Sequence, residues 1–187
     1  MKKILINLHP NDVCKIFKGE ITALLRKRAP RCELPIRVFV YCRGGIPLSR
    51  PGKDYGELNG KIVGSFILEE AEPILMMPQF GTVSMSPADL CENAGLSIDE
   101  IIDYFSMPCG ELVGYAWKMK CANLLEEPIS LSRESCKEFY KFYRPGREEA
   151  IDDGIPGYYA NEEKFRIKKP PKGWMYVESH IDRWIDL

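Results

Sequence analysis

Residues 18–28 read K-G-E-I-T-A-L-L-R-K-R, a stretch in which a glycine opens a short apolar run that ends in three consecutive cations. Glycine takes positive φ at little steric cost, so the glycine is suited to end a preceding helix. Residues 21–25 are then expected to continue as an irregular strand. We therefore expect a loop region that presents Arg26, Lys27 and Arg28 to a ligand.

The chain on either side of this stretch predicts strands with a few helices between them. Alternating apolar and β-branched residues indicate strands, whereas capping residues before apolar spacings of three and four indicate helices. The predicted strands cover residues 3–8, 36–41, 61–68, 111–125 and, as an edge strand, 174–178. The predicted helices begin at Asn11 or Asp12, at Ser86, at Ser97 and at Ser132, the last running to Tyr143. Because strands outnumber helices without regular alternation, we expect the α+β class, as a small mixed β-barrel flanked by helices.

The composition is typical of a soluble globular domain. The chain has 187 residues, of which 45% are hydrophobic and 28% are charged, enough for one domain with a core. No apolar run approaches the roughly 20 residues that span a bilayer, and the apolar start is too short for a secretory signal. We therefore expect a single cytoplasmic domain over residues 1–187, without a membrane partner.

The cysteines and histidines predict no metal site. The seven cysteines are odd in number and scattered without a C-x-x-C pair, and only two histidines are available to join them in a metal site. Free thiols that act as small buried hydrophobes in a reducing compartment are the expected state. We predict neither a metal nor another cofactor.

The charge is distributed unevenly along the chain. Residues 1–61 contain 13 Lys and Arg against 5 Asp and Glu, whereas the remaining residues contain 13 against 22. A local excess of cations raises the potential that attracts phosphate-bearing ligands. The alternative is a solvated cationic surface without a partner, since folding can interleave the two parts of the chain.

Several short motifs, in a fixed order, resemble a known family. They are the H-P turn before the first helix, the K-G-E loop, R-K-R, the strand end V-Y-C, and then G-K-I-V-G-S-F-I-L-E-E and V-G-Y-A-W-K. Together they resemble the ASCH domain (activating signal cointegrator homology) of the PUA-like superfamily, over about residues 3–128 and 165–178. The tail K-K-P-P-K-G-W-M-Y-V is similar to that of a bacterial and phage-associated branch. This similarity implies a bacterial or prophage setting.

The resemblance implies a small barrel with a cleft beneath the loop that follows the first helix. PUA-like domains typically bind RNA, and some ASCH proteins are ribonucleases or amidohydrolases of acetylated cytidine. The family signature G-x-K-x-x-E-x-R matches here at Gly19 and Arg26, but its lysine and glutamate fall on Ile21 and Leu24. The lysine and threonine of the amidohydrolases fall on the same two positions. Neither apolar side chain supplies a nucleophile or a base, so we expect no catalysis by these positions.

The residues predicted to bind nucleic acid are cations and aromatics of these motifs. An arginine offers a planar fork that suits phosphate oxygens, and an aromatic ring stacks on an unpaired base. Core packing is the alternative for both aromatics, and solvated charge is the alternative for the lysine of the K-G-E loop. The predicted set is Lys18, Gly19, Arg26, Lys27, Arg28, Tyr41, Arg43 and Trp174.

The leading hypothesis is a PUA-like module that binds RNA or a nucleotide-like ligand. The alternative is a hydrolase on the same fold, a ribonuclease or an amidohydrolase of modified nucleosides, with Glu69 or Glu70 and Lys18 as candidate groups. Successive strand residues point to opposite faces, so the two glutamates cannot form one acid–base pair, and one of them pairing with Arg26 is a structural alternative. A third hypothesis is a protein partner bound through an inserted helical and acidic segment at about residues 132–164.

Overall fold

The computed structural model of the chain describes residues 3–44, 49–50, 53–54, 58–77, 81–82, 86–105, 112–131, 139–141 and 170–179. The helices are α1 Pro10–Phe17, α2 Pro87–Ala94 and α3 Ile98–Phe105. The strands are β1 Lys3–Leu8, β2 Ala23–Arg26, β3 Ile36–Cys42, β4 Ser49–Arg50, β5 Lys53–Asp54, β6 Lys61–Met77, β7 Gly81–Thr82, β8 Leu112–Ser130, β9 Phe139–Lys141 and β10 Trp174–Ser179.

The chain divides into two compact units. The first unit comprises Met1–Pro10, Val38–Gly64 and Leu125–Leu187, and the second comprises Asn11–Arg37 and Ser65–Leu124. The long strands β6 and β8 each contribute one part of their length to each unit.

A mixed sheet forms the first unit. β1 runs parallel to β3, with Ile4 opposite Val38. On its other side β1 runs antiparallel to β10, with Ile6 opposite Trp174, and β10 is antiparallel to β9. β1 lies between these two strands, and its residues 4–6 are fully buried, so side chains on both of its faces are covered. The core of this unit contains Leu5, Phe39, Tyr41, Ile62, Leu131 and Val177.

The second unit combines an antiparallel sheet with helices. β2 pairs with β8, β8 neighbours β6, and β7 pairs with the end of β6. Helices α2 and α3 contribute apolar side chains to the same core as β2, β6 and β8. That core contains Ala23, Leu25, Ile74, Leu90, Ala94, Ile101, Phe105 and Ala116. Mixed strand pairing together with these helices confirms the predicted α+β class.

Both predicted caps of α2 and α3 are confirmed. The backbone N–H of Asp89 donates a 3.1 Å hydrogen bond to the Ser86 hydroxyl, and Gly95 ends α2 with a φ of 61°. At α3 the backbone N–H of Glu100 donates to the Ser97 hydroxyl at 3.3 Å, while the Ser97 backbone N–H donates to the Glu100 carboxylate at 2.8 Å. These caps were predictable because each joins residues only three apart in the chain.

This capping box makes the stability of α3 depend on pH. Hydrogen bonds from the Ser97 backbone N–H, and then from its hydroxyl, hold the pKa of Glu100 below its ordinary value. A lowered folded-state pKa contributes stability above the unfolded-state pKa, and this contribution is lost as the pH falls through the folded-state pKa. Between about pH 6 and pH 3, we expect urea unfolding to show a larger loss of stability for wild type than for Glu100→Gln. Glu92→Gln, which removes an exposed glutamate of α2, is the control, and identical pH profiles for wild type and Glu100→Gln contradict the prediction.

Two predictions about the later part of the chain are wrong for one reason. Residues 139–141, predicted to lie in a helix, form β9 and pair with β10. β10 is therefore flanked by β1 and β9 and is not an edge strand. Aromatic residues suit strands as well as helices, and here the partner strand selects the conformation. Residues 132–138 and 142–164 of the predicted insertion lie outside the described residues, and the single-domain organisation stays a prediction.

The two long strands extend beyond their predicted ends. β6 continues to Met77 and β8 to Ser130. Each was predicted only over its most apolar part, and pairing between neighbouring strands extends both of them through more polar sequence.

Within the described ranges, no helix combines the length and apolarity needed to cross a membrane.

Candidate nucleic-acid interface

The cations Arg26, Lys27 and Arg28, here called the cationic turn, lie at the end of β2. β2 pairs with β8 in a register that places Arg26 opposite Tyr115. Residues directly opposite in an antiparallel pair share one face of the sheet. The side chain of Arg26 therefore lies beside that of Tyr115. Nη1 of Arg26 also donates a 2.9 Å hydrogen bond to the Leu25 carbonyl.

A buried tryptophan anchors the backbone of the turn. Trp117 is 0% exposed, and its indole N–H donates a 3.2 Å hydrogen bond to the carbonyl of Arg28. Because a buried indole N–H without a partner is destabilising, this bond stabilises the core and positions the turn together. A turn that is held in place before a ligand arrives loses less conformational entropy when the ligand binds.

The side chains of the turn differ in their exposure. Arg26 is half-buried, whereas Lys27 and Arg28 are exposed. Nζ of Lys27 lies 5.6 Å from the centre of the Tyr104 ring, which belongs to α3. Lys27 and Arg28 are therefore the two groups of the turn that an external phosphate can reach.

The loop between α1 and β2 is held by backbone hydrogen bonds. Gly19 has a φ of 72°, which confirms that a glycine is needed where α1 ends. The backbone N–H of Thr22 donates a 2.9 Å hydrogen bond to the Asn93 carbonyl at the end of α2. The Lys18 ammonium lies 3.6 Å from the carboxylate of Glu20, and both side chains are exposed. This pairing favours the alternative of a solvated loop charge for Lys18.

The two positions that depart from the ASCH signature are apolar and buried. Ile21 and Leu24 are each 6% exposed. Leu24 lies opposite Trp117 in the pairing of β2 with β8. Ile21 packs so closely on Gly95 that a Cβ added to this glycine would lie 2.6 Å from Cγ2 of the isoleucine. Core packing thus takes the place of polar chemistry at both positions.

The catalytic candidates Glu69 and Glu70 pair with lysines of β8. Glu69 lies 2.7 Å from Nζ of Lys120, and Glu70 lies 3.0 Å from Nζ of Lys118. Within the described part of the chain, neither glutamate pairs with Arg26, so the alternative ion pair considered from the sequence is not formed.

A third carboxylate, which was not predicted, completes this charged cluster. Glu72 lies 2.7 Å from Nζ of Lys118. The spacing of two between Glu70 and Glu72 was the available signal, because it places both side chains on one face of a strand. Hydrogen bonds to Glu72, and then to Glu70, raise the pKa of Lys118. A lysine held in its protonated form is a poor base and a poor nucleophile, so the cluster favours a structural role.

Three predicted site residues belong to the first unit. Tyr41 is 9% exposed within the core, and this burial raises the pKa of its hydroxyl. Its position favours core packing over base stacking. Arg43 is exposed, and its backbone N–H donates a 2.8 Å hydrogen bond to the Leu8 carbonyl. Trp174 is half-buried, and its ring meets that of Tyr176 edge to face at a centroid distance of 5.5 Å.

The cysteines of the described residues are free thiols, but only Cys14 and Cys42 are buried as predicted, whereas Cys121 is exposed. The free thiols are Cys14, Cys32, Cys42, Cys91 and Cys121. Across the same part of the chain, no three side chains of His, Cys, Asp or Glu come together as a metal site.

Of the comparisons with known proteins, only the one with solved structures gives matches. The structure of ASCH from Zymomonas mobilis is similar to this chain with a TM-score of 0.47 and 21% sequence identity, over 69% of this chain and 73% of that one. Two mutants of that protein match at the same sequence identity. One has a TM-score of 0.47 over 70% of this chain and 77% of its own. The other has a TM-score of 0.46 over 68% of this chain and 73% of its own. No family model and no curated protein matches the chain. All three of these structures are of an ASCH protein from one organism.

Proposed function

We propose that this protein binds nucleic acid, and RNA in particular, through the cationic turn. The observation that carries the proposal is the pair of exposed cations, Lys27 and Arg28, on a backbone that the buried Trp117 anchors. The arginine supplies a planar fork of donors and the lysine a compact point charge, and both are used in phosphate recognition. Each phosphate that is neutralised also releases counterions, so two positioned cations favour a polyanion.

Neighbouring charge supports a polyanionic ligand. Arg31 is exposed a few residues beyond the turn. The turn also lies within the part of the sequence that has 13 cations against 5 acids. The resemblance to PUA-like domains, which typically bind RNA, makes RNA the first ligand to test.

Replacing the two exposed cations is expected to weaken RNA binding. For the variant Lys27→Ala/Arg28→Ala, we expect affinity for single-stranded RNA to fall about tenfold or more, because charge-assisted hydrogen bonds to phosphate are lost. The slope of log affinity against log salt is expected to fall by about 1.4, since each single-strand phosphate contact contributes about 0.7. The measurement is fluorescence anisotropy with labelled RNA over a salt series, run beside duplex RNA and single-stranded DNA.

The matched control removes the same charge from two other lysines of the same unit. Lys118→Ala/Lys120→Ala deletes two cations of β8 that are paired with glutamates. Thermal melting of both variants checks that they remain folded. Equal losses of affinity in the two variants would show that only net charge matters, and unchanged affinity in the turn variant would refute the proposal.

A hydrolase on the same fold is not favoured by any observation. Its candidate glutamates pair with lysines, and the positions of the family's reactive groups are buried apolar residues. RNA recovered from the binding experiment is therefore expected to be intact on a gel. If it is cleaved, loss of cleavage in Glu69→Gln or Glu70→Gln with the fold retained identifies the catalytic group.

A protein partner is the remaining hypothesis. Most of residues 132–164, through which such a partner is predicted to bind, lie outside the described residues. The partner, like the cytoplasmic location and the bacterial or prophage setting, stays a prediction.

A further inference from the structure

Helix α3 presents a tyrosine beside the cationic turn. Tyr104 is 39% exposed, whereas Ile101 and Phe105 of the same helix are buried in the core. An aromatic ring with this exposure leaves a flat apolar surface in contact with water, which is the kind of surface that stacks on a nucleobase.

The Tyr104 ring contacts a residue of the core. Tyr104 and Phe105 meet edge to face with ring centroids 4.9 Å apart and an interplanar angle of 77°. Phe105 is buried, and it packs directly on Gly114 of β8. The exposed ring of Tyr104 is therefore in contact with a ring that is buried in the core.

The tyrosine and the cationic turn share one surface of the second unit. Nζ of Lys27 lies 5.6 Å from the centre of the Tyr104 ring, although the two residues are far apart in sequence. Proteins that bind single-stranded nucleic acid combine these two elements, aromatic rings for the bases and cations for the backbone. In a duplex the bases are already stacked and paired, so a protein ring gains little from them.

We propose that Tyr104 is the stacking platform for an unpaired base, whose neighbouring phosphates are held by Lys27 and Arg28. The ligand class is therefore single-stranded RNA; this inference rests on the proposed function of the cationic turn. When the base occupies the ring face, the Lys27 ammonium exchanges an exposed cation–π contact for a phosphate. Asp99 and Asp103 are exposed on the same helix, and their carboxylates repel phosphate.

The test compares three single variants. Tyr104→Ala removes the ring, Tyr104→Phe keeps a ring that stacks, and Ile102→Ala removes a side chain of the same helix that is similarly exposed, at 40%. The probe is a short single-stranded RNA that carries one fluorescent 2-aminopurine, with a duplex of the same sequence as the second ligand. The 2-aminopurine emission reports how the base is stacked, so its change on binding is compared between wild type, Tyr104→Ala and Tyr104→Phe, which keeps a ring.

We expect Tyr104→Ala to lose roughly 5- to 150-fold in affinity for the single strand, the value of one base–aromatic stack. Its salt slope and its affinity for the duplex are expected to stay unchanged, and the emission change is expected to disappear. Tyr104→Phe and Ile102→Ala are expected to bind within about twofold of wild type.

The outcomes separate the two proposals. If Lys27→Ala/Arg28→Ala weakens binding but Tyr104→Ala does not, the stacking inference is wrong and the proposed function stands. An equal loss in Ile102→Ala, or an equal loss for duplex and single strand, also overturns the stacking inference. If wild type binds neither the single-stranded RNA nor the duplex, both proposals fail.

Discussion

Trp117→Ala is expected to lower the free energy of unfolding by about 3–5 kcal/mol, the usual cost of truncating a fully buried large aromatic. The indole is 0% exposed, so its loss leaves a cavity that the surrounding strands fill only in part. The same change removes the hydrogen bond that holds the carbonyl of Arg28. Guanidinium unfolding followed by circular dichroism measures the stability, and RNA anisotropy measures the consequence for the cationic turn.

Trp117→Phe tests the hydrogen bond to Arg28 while it keeps an aromatic ring in the core. Phenylalanine retains most of the apolar volume but has no N–H for the Arg28 carbonyl, so we expect a loss of about 1–3 kcal/mol, from one hydrogen bond and the smaller ring together. RNA binding by this variant is expected to be weaker than that of wild type, because the turn is less fixed before binding. Wild-type affinity in a folded Trp117→Phe protein would show that the anchor is irrelevant to the ligand.

A second large effect is expected at Gly114, where Gly114→Ala should destabilise the protein by about 1–3 kcal/mol through overpacking. A Cβ at this position would lie 2.6 Å from Cζ and 2.7 Å from Cδ1 of Phe105. The ring is buried and cannot move aside without shifting α3. Because Phe105 also contacts Tyr104, we expect the variant to bind single-stranded RNA more weakly than wild type.

The control for this substitution is Gly173→Ala. A Cβ at Gly173 meets no atom within 4 Å, and the residue is exposed, so we expect a change within about 0.5 kcal/mol. Adding Phe105→Leu to Gly114→Ala is expected to cost less than the sum of the single changes, since the smaller side chain relieves the overlap. Equal stability of the two alanine variants by urea unfolding would contradict the proposed overlap.

Features that depend on neighbouring residues were predicted well. The caps at Ser86 and Ser97 and the glycine that ends α1 each involve residues within a few positions of one another. The strand at residues 3–8 was predicted because a short apolar run that contains β-forming residues indicates a strand. The fold class followed from the order of such elements.

Features that depend on pairing across the chain were not predicted. A strand exposed on one face would leave Tyr41 accessible, but in the first unit its ring is buried in the core. Residues 139–141 became a strand because β10 supplies the hydrogen-bond partners. Glu72 was overlooked since its lysine partner belongs to a different strand.

Some features of the candidate site also follow from the residues alone, whereas others depend on tertiary contacts. The sequence by itself determined that residues 26–28 are three consecutive cations and that Ile21 and Leu24 carry no reactive group, because charge and functional group are properties of each residue. Only the tertiary structure decided which cations are exposed, that Trp117 holds the turn, and that Tyr104 stands beside Lys27. The physical reason is that burial and contact between residues distant in sequence arise when strands and helices pack, and no local pattern specifies which surface a distant aromatic ring will share.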